Sequence, residues 1–273
     1  MLKNKIFYVL LSTVIITMIF FANRAYTQAK NYESINTSLV KHMSVENLAE
    51  FQLKELASTL SFGYYKNNKK DEISILKKEA KIAKELSHKN TLYFMLLLFT
   101  IVISYFFISL RAFTFFGSIA ATITLIFGII TPIMMVTIHK EVEYLGDVVL
   151  SFESKSIIGS VTKLFENGDS IVAIVILLFS ILIPSLKTIS LAFVSIFMKN
   201  RFTHGIVKFF KTIGKWSMVD VFVVATFLVY LTADKGDVSR AEAEVGLYFF
   251  LAYVIISMLV SLSADRMLHR MKR

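Results

Sequence analysis

Two residues of opposite charge lie inside long apolar runs of this sequence. Lys187 falls within the run 171–194, and Asp220 falls within the next one, 216–230. A charged side chain at the centre of a bilayer costs about 2.5–3.5 kcal/mol on insertion scales, so such residues are rare and typically mark functional sites. A lysine can bind an anionic group, and an aspartate can carry a proton or pair with the lysine. These two residues are therefore the first candidates for a site.

A serine lies seven residues before the lysine. On an α-helix Ser180 and Lys187 would be two turns apart and share a face. A serine–lysine hydrolase would need that pairing together with water access and oxyanion donors. The sequence contains no His-Glu-x-x-His pair, no glycine-rich phosphate loop and no cysteine. It therefore predicts a protein that is not an enzyme and that uses no metal or other cofactor.

The elements that must position these residues are long and apolar. The chain has 273 residues, is 55% hydrophobic and contains only 2 prolines. A backbone inside lipid must satisfy its own hydrogen bonds, so such runs predict spanning helices of about 20 residues. The six apolar runs are 6–22, 91–110, 113–138, 171–198, 216–231 and 246–263. The sequence therefore predicts an all-α polytopic membrane protein with six transmembrane helices.

The charges between the runs indicate their orientation. Basic residues cluster at Lys3 and Lys5, at Arg111, in the loop 199–215 and in the tail 264–273. These places share one side if every run crosses once, and short cytoplasmic loops are rich in Lys and Arg. The loops on the other side, 139–170 and 232–245, are acidic. Both termini are thus predicted to be cytoplasmic. Topology and anionic lipid explain the basic loop without a nucleic-acid partner.

The segment at about 23–90 would then lie outside the cytoplasm. Its 68 residues exceed the loop length over which the charge rule applies. Apolar residues recur at helical steps, which predicts two amphipathic helices, the second of which could continue into the run 91–110. In that second helix the positions are Ile73, Leu76, Ala80, Ala83 and Leu86. The hairpin could be a solvated stalk, or it could dock a partner or sense a ligand.

The first run allows two interpretations. It follows two lysines and could be a cleaved signal peptide, but its 17 residues are long for a signal core of about 7–15. An uncleaved anchor is favoured. The sequence then divides into an N-terminal two-span hairpin, 1–110, with its extracytoplasmic helical segment, and a four-span C-terminal unit, 111–273.

Lys187 and Asp220 should lie at similar depths in adjacent antiparallel helices. A span of about 20 residues from Ile171 would put Lys187 about one turn inside the cytoplasmic boundary. Asp220 lies four residues after Trp216, a candidate interfacial anchor. The two side chains could pair or share a polar pocket. Alternatively, the lysine reaches the headgroups and the aspartate stabilises the start of its helix.

A proline precedes the lysine by three residues. Pro184 cannot donate a backbone hydrogen bond to the carbonyl of Ser180, which predicts a kink. The hydroxyls of Ser180, Ser185 and Thr188 could satisfy the freed backbone groups. Interrupted helices of this kind line transporter cavities, although they also occur as structural kinks.

Three segments resemble the paraquat-inducible protein A family. They are the outer-loop stretch 156–173, which contains Gly168 and Asp169, the stretch 180–187, which ends in Pro-Ser-Leu-Lys, and the stretch 214–222 around Trp-Ser-Met-Val-Asp. The resemblance covers about residues 111–265 and places Lys187 and Asp220 each inside a motif. It adds Ser180, Pro184, Trp216 and Ser217 to the candidate intramembrane polar site, and Gly168 and Asp169 as an outer-loop motif.

This resemblance implies a four-helix unit in the bacterial inner membrane with a role in lipid trafficking and envelope maintenance. It implies membrane phospholipid as a ligand and a periplasmic mammalian-cell-entry-type protein as a partner. Family members with two such units also carry paired-cysteine zinc ribbons, whereas this chain has one unit and no cysteine. A homo-oligomer could replace the second unit. The sequence leaves open a second function, a membrane sensor or assembly scaffold whose hairpin recognises a partner.

Overall fold

The computed structural model describes residues 2–42, 68–142, 146–197, 205 and 239–271. Its helices are α1 (Leu2–His42), α2 (Asn68–Ser104), α3 (Leu110–Ile130), α4 (Ile157–Glu166), α5 (Ser170–Ile176), α6 (Ile183–Ile196) and α7 (Val245–Met271), with a π-helix (Leu177–Leu182) between α5 and α6. Its strands are β1 (Met134–Val142), β2 (Gly146–Lys155) and β3 (Ser239–Ala243). Within this part of the chain, five helical stretches are long and apolar enough to cross a membrane. The predicted span 216–231 lies outside the described residues.

Helices α1 and α2 pack as an antiparallel hairpin along a seam of regular spacing. Buried α1 residues alternate at steps of four and three, which is the 3.5-residue period of a left-handed coiled coil. They are Leu11, Ile15, Met18, Ala22, Ala25 and Ala29. Across the middle of the seam lie Ala80, Ala83 and Ser87, and the Ser87 hydroxyl donates to the Ala25 carbonyl at 3.0 Å. These small side chains let the two backbones approach closely.

The hairpin is longer than a membrane span. The 41 residues of α1 measure about 60 Å, twice the roughly 30 Å of the hydrocarbon core. The prediction of a second helix that continues into its span is confirmed, because α2 runs unbroken from Asn68 to Ser104. Leu86, the last apolar residue of the helical pattern, is 40% exposed, and Ser87 beside it is buried. The predicted first amphipathic helix falls mostly on residues 43–67, outside the described part.

Helices α3 and α7 pack antiparallel through glycines. A Cβ at Gly128 would lie 2.9 Å from the backbone nitrogen of Phe250, and one at Gly117 would lie 2.6 Å from Val260. The Thr114 hydroxyl meets the Ser263 hydroxyl at 3.1 Å further along the pair. Close approach through small residues is the packing expected where lipid supplies no hydrophobic drive between helices. These two helices form the core of the C-terminal unit.

Helix α3 ends well before the predicted end of its run. The run 113–138 was expected to be one span, but the helix stops at Ile130, and Thr131 is extended at φ −79° and ψ 146°. The cause is Pro132, whose ring disfavours the helical conformation of the preceding residue. The run 91–110 likewise divides, because α2 ends at Ser104 and the Ser109 hydroxyl accepts from the Ala112 N–H to begin α3.

A three-stranded antiparallel sheet was not predicted. Its order is β2-β1-β3, and Met134 in the central strand pairs with Lys155 on one side and Ala243 on the other. The acidic loop 139–170 was treated only as a loop, so the all-α class is corrected to a mostly helical fold with one small sheet. The sheet marks one end of the bundle, which we call the sheet end. The opposite end, where α3 begins and α6 finishes, we call the Arg111 end.

Candidate functional site

The segment that carries Lys187 is interrupted instead of forming one regular helix. The π-helix Leu177–Leu182 is followed by Pro184, the second residue of α6. Because Pro184 has no N–H, the α-helical bond to the Ser180 carbonyl cannot form. A wider turn accommodates this loss, and short π-helical segments occur frequently at functional sites. Ser180 lies inside the π-helix, so the seven residues from Ser180 to Lys187 no longer make two regular turns.

Lys187 points into the bundle. Its exposed fraction is 7%, and its neighbours Pro184 and Thr188 are also buried. The helix continues nine residues beyond it to Ile196, about 14 Å at α-helical rise. Lys187 is thus deeper from the helix end than the one turn expected from a 20-residue span. A lysine that reached along the lipid-facing surface would be more exposed, so the burial favours the polar-pocket interpretation.

The carbonyl of Pro184 gathers hydroxyl groups from two helices. The Tyr253 hydroxyl, on α7, donates to it at 3.3 Å, and the Thr188 hydroxyl donates to it at 3.2 Å. Thr188 also donates to the Ser185 carbonyl at 3.1 Å. Tyr253 is 1% exposed. A buried tyrosine usually finds a partner for its hydroxyl, and here that partner fixes α7 against the helix that carries Lys187.

The other predicted site residues separate into two groups. Asp220, Trp216 and Ser217 lie outside the described residues. Gly168 and Asp169 lie between α4 and α5 at the sheet end. Gly168 has a φ of +88°, which favours glycine, and Asp169 is the residue before α5. They position the entry of the helix and lie 15 or more residues from Lys187 along the chain.

At the Arg111 end, the side chains of Arg111 and Arg266 donate hydrogen bonds to neighbouring groups. Arg111 donates to the carbonyls of Ser195 and Ile196 at 2.8 and 3.0 Å, which satisfies the end of α6. Arg266 donates to the Tyr105 hydroxyl at 2.5 Å. Arg111 and Arg266, two of the basic residues that the charge rule assigned to one side, therefore lie at the same end of the bundle.

Two residues near these helices were missed by sequence reasoning. Tyr253 gave no signal, since one tyrosine in an apolar run is common. Glu244 lies directly before the last span and is 1% exposed. An acid at the start of an apolar run was a usable signal, but it was counted only as loop charge.

Comparison with known proteins identifies the class. The paraquat-inducible protein A family matches residues 111–270, a region that holds α3, the interrupted α5–α6 segment and α7. The chain belongs to this family, and the resemblance inferred from the sequence motifs is confirmed. It is also similar to the proteins named "Intermembrane transport protein PqiA" of Escherichia coli (strain K12) and of Shigella flexneri. Each is 30% identical over 116 residues.

The alignment with these relatives covers only part of this chain and only part of each relative. It covers 40% of this chain and 27% of each relative, so the chain aligns with about a quarter of their length. No solved structure gives a significant match. The printed name of these relatives describes intermembrane transport, and five helical stretches in the described part of this chain are long and apolar enough to cross a membrane.

Proposed function

We propose that this protein is an inner-membrane subunit that moves or hands over phospholipid through a polar cleft in its C-terminal unit. The observation that carries the proposal is the burial of Lys187 beside the π-helix and Pro184. An ammonium group inside an apolar bundle is costly unless it binds an anion or an acid. A phospholipid phosphate supplies such an anion, and the relatives are named for intermembrane transport.

The roles of the individual residues follow from their placement. Lys187 would contact the anionic headgroup or brace Asp220, and Asp220 would carry a proton if protonation drives the cycle. Ser180, Pro184, Trp216 and Ser217 would shape the cleft. The protein would act without catalysing a chemical reaction.

Orientation and partners belong to the same proposal. The Arg111 end would face the cytoplasm, because Arg111, Arg266 and the first lysines belong to that end under the charge rule. The sheet end and the protruding hairpin would then face the periplasm of a bacterial inner membrane. A mammalian-cell-entry-type protein would dock there, and two copies of the chain could form a homo-oligomer.

A charge swap tests the site. Lys187→Asp and Asp220→Lys are compared singly and together for transfer of labelled phospholipid from liposomes that contain the purified protein. The proposal expects each single variant and the swap to lose transfer while protein levels hold. Recovery of transfer in the swap would show that the pair is only a structural brace.

A second function is favoured by the length of the hairpin. Because α1 and α2 extend far beyond one bilayer thickness, they could recognise a partner as part of a sensor or scaffold. The seam register places residue 36 opposite residue 76, so removal of 37–75 with a short glycine linker shortens the hairpin without disturbing its base. Loss of complex formation with lipid transfer retained would favour the scaffold, and the reverse result would favour transport.

A further inference from the structure

A buried carboxyl group lies where the hairpin meets the C-terminal unit at the sheet end. Glu244 is 1% exposed, and its Oε1 has no hydrogen-bond partner among the described residues. Its backbone is fixed on both sides: its N–H donates to the Ile133 carbonyl at 3.0 Å, and its carbonyl accepts from the Leu247 N–H at 3.0 Å. A buried carboxyl group with one oxygen unpartnered is costly as a carboxylate and less so as a neutral acid.

The backbone on either side of Glu244 lies against the carbonyl groups of residues 131–133. The segment 131–133 runs against the start of α7, and the Gly246 N–H donates to the Pro132 carbonyl at 2.9 Å. A Cβ at Gly246 would lie 2.4 Å from the Thr131 carbonyl oxygen, so the two backbones touch. Thr131 Oγ1 is the other buried side-chain atom without a partner in the described part of the chain. A protonated carboxyl could donate to an oxygen here, whereas a carboxylate could not.

Titratable groups of several elements surround Glu244. Lys84 on α2, Glu242 on β3 and the titratable Tyr32 on α1 interact electrostatically with Glu244. His88 on α2 interacts with Lys84 and Glu242, its ring centre lies 6.2 Å from that of Tyr248 on α7, and on β2 Lys155 pairs with Glu153. Lys84 forms an ion pair with Glu242, and its ammonium lies 5.4 Å from the centre of the Tyr32 ring. Lys84, the cation that interacts with Glu244, is thus engaged by another acid.

We propose that Glu244 is a proton-binding site, and that release of its proton draws Lys84 from Glu242 to Glu244. Burial raises the pKa of Glu244 to about 7 from an ordinary 4.5, although the charge of Lys84 and the Val245 N–H oppose the rise. Lys84 and Glu242 are partly exposed, so protons can reach the cluster from the aqueous side.

This exchange would connect both parts of the protein. Lys84 belongs to the hairpin, whereas Glu242 and Glu244 belong to the C-terminal unit. Helix α7 begins at Val245, and its Tyr253, about 12 Å along at α-helical rise, donates a hydrogen bond to the Pro184 carbonyl near Lys187. The inference concerns the packing of the hairpin and holds whether or not the C-terminal unit carries lipid.

The test is pH-difference infrared spectroscopy of the full-length protein in lipid nanodiscs, which detects the C=O stretch of protonated carboxyl groups. We expect a band that titrates near neutral pH in the native protein and is lost in Glu244→Gln, whatever other carboxyl bands remain. The matched control Glu153→Gln alters an exposed acid paired with Lys163 and should keep the band. Spectra of Glu244→Gln and the native protein that titrate identically near neutral pH, or no carboxyl titrating there, would overturn the proposal.

Two further variants test the exchange, and they do so even if Glu244→Gln fails to fold. Glu242→Gln releases Lys84 to Glu244 and should lower the midpoint of the band by about one pH unit, whereas Lys84→Met should raise it. Unchanged midpoints in both variants would refute the exchange. Titrations in sodium and in choline buffers should coincide, and a sodium-dependent midpoint would instead identify a metal-cation site.

Discussion

In the hairpin, α1 and α2 remain regular over 41 and 37 residues, and their seam repeats every seven positions with small side chains at its centre. In the C-terminal unit, the helix that carries Lys187 changes from α to π to α within 27 residues, and its neighbours approach through glycines. The helices of the hairpin run without interruption, whereas in the C-terminal unit the carbonyls at the end of α6 accept from Arg111 and the Pro184 carbonyl accepts from Tyr253 of another helix. The regular region is suited to support, and the irregular region can hold polar groups inside the bundle.

The largest expected effect is at the junction of the two regions. Gly246→Ala would place a Cβ 2.4 and 2.6 Å from the carbonyl oxygens of Thr131 and Pro132, both of them backbone atoms. We expect a destabilisation of about 3 kcal/mol or more, seen as a lower thermal midpoint and poor yield in detergent. Ile255→Ala, which alters a side chain 56% exposed on the same helix, should change the midpoint little. Equal thermal midpoints in Gly246→Ala and Ile255→Ala would show that the junction accommodates a Cβ at little cost in stability.

Overpacking of the hairpin seam should give the second-largest loss of stability. Ala83 is 2% exposed among small residues, so Ala83→Leu must separate the helices, at a cost of about 1–3 kcal/mol. Ile82→Leu, beside it and 47% exposed, is the control. Faster proteolysis of the hairpin with unchanged lipid transfer would support a division of roles. If lipid transfer falls in proportion to hairpin stability, the two regions do not act separately.

The stability of this junction should depend on pH. The pKa of Glu244 is raised by burial from 4.5 to about 7, so the stabilising contribution is complete below about pH 4.5 and is lost as pH rises through 7. The shift corresponds to about 3 kcal/mol at most. The thermal midpoint of the native protein should therefore fall over this interval, and that of Glu244→Gln should fall less. If the thermal midpoints of the native protein and of Glu244→Gln change equally with pH, the assignment of the raised pKa to Glu244 is contradicted.

The smallest effect concerns one hydrogen bond of the seam. Ser87→Ala removes the bond to the Ala25 carbonyl, which we expect to cost about 1 kcal/mol in thermal unfolding. Thr27→Ala removes only an exposed bond to the carbonyl of Asn23 in the same helix and should be near neutral. If Ser87→Ala leaves the stability to thermal unfolding unchanged, the close approach of α1 and α2 depends on the alanines alone.

Sequence patterns predicted the long elements better than their interruptions. Hydropathy located the spans of α1, α2, α3, α5–α6 and α7, because apolar length alone determines whether a helix can cross. The stop at Thr131 was recoverable from Pro132, but the apolar run continued to 138 and concealed it. The sheet was missed because its strands pair residues far apart, Met134 with Ala243, which no local pattern records.

The candidate site shows the same division. Lys187 and Pro184 were visible as a charge and a helix breaker in an apolar run, and the structure buries both. The bond of the Tyr253 hydroxyl was not visible, because it depends on how α7 packs against α6. Pro184 predicted a kink, but not the π-helical form of the turn before it. The partnership of Lys187 with Asp220 stays a prediction, since Asp220 lies outside the described residues.

The central claim, that the buried lysine binds an anionic headgroup, is tested most directly by native mass spectrometry of the full-length protein released from nanodiscs. We predict bound phospholipid on the native protein, and its loss in Lys187→Met at equal folded yield. Lys163→Met, which removes an exposed lysine at the sheet end, should retain the lipid. Phospholipid bound equally by all three proteins, or by none that remains folded, would contradict the claim.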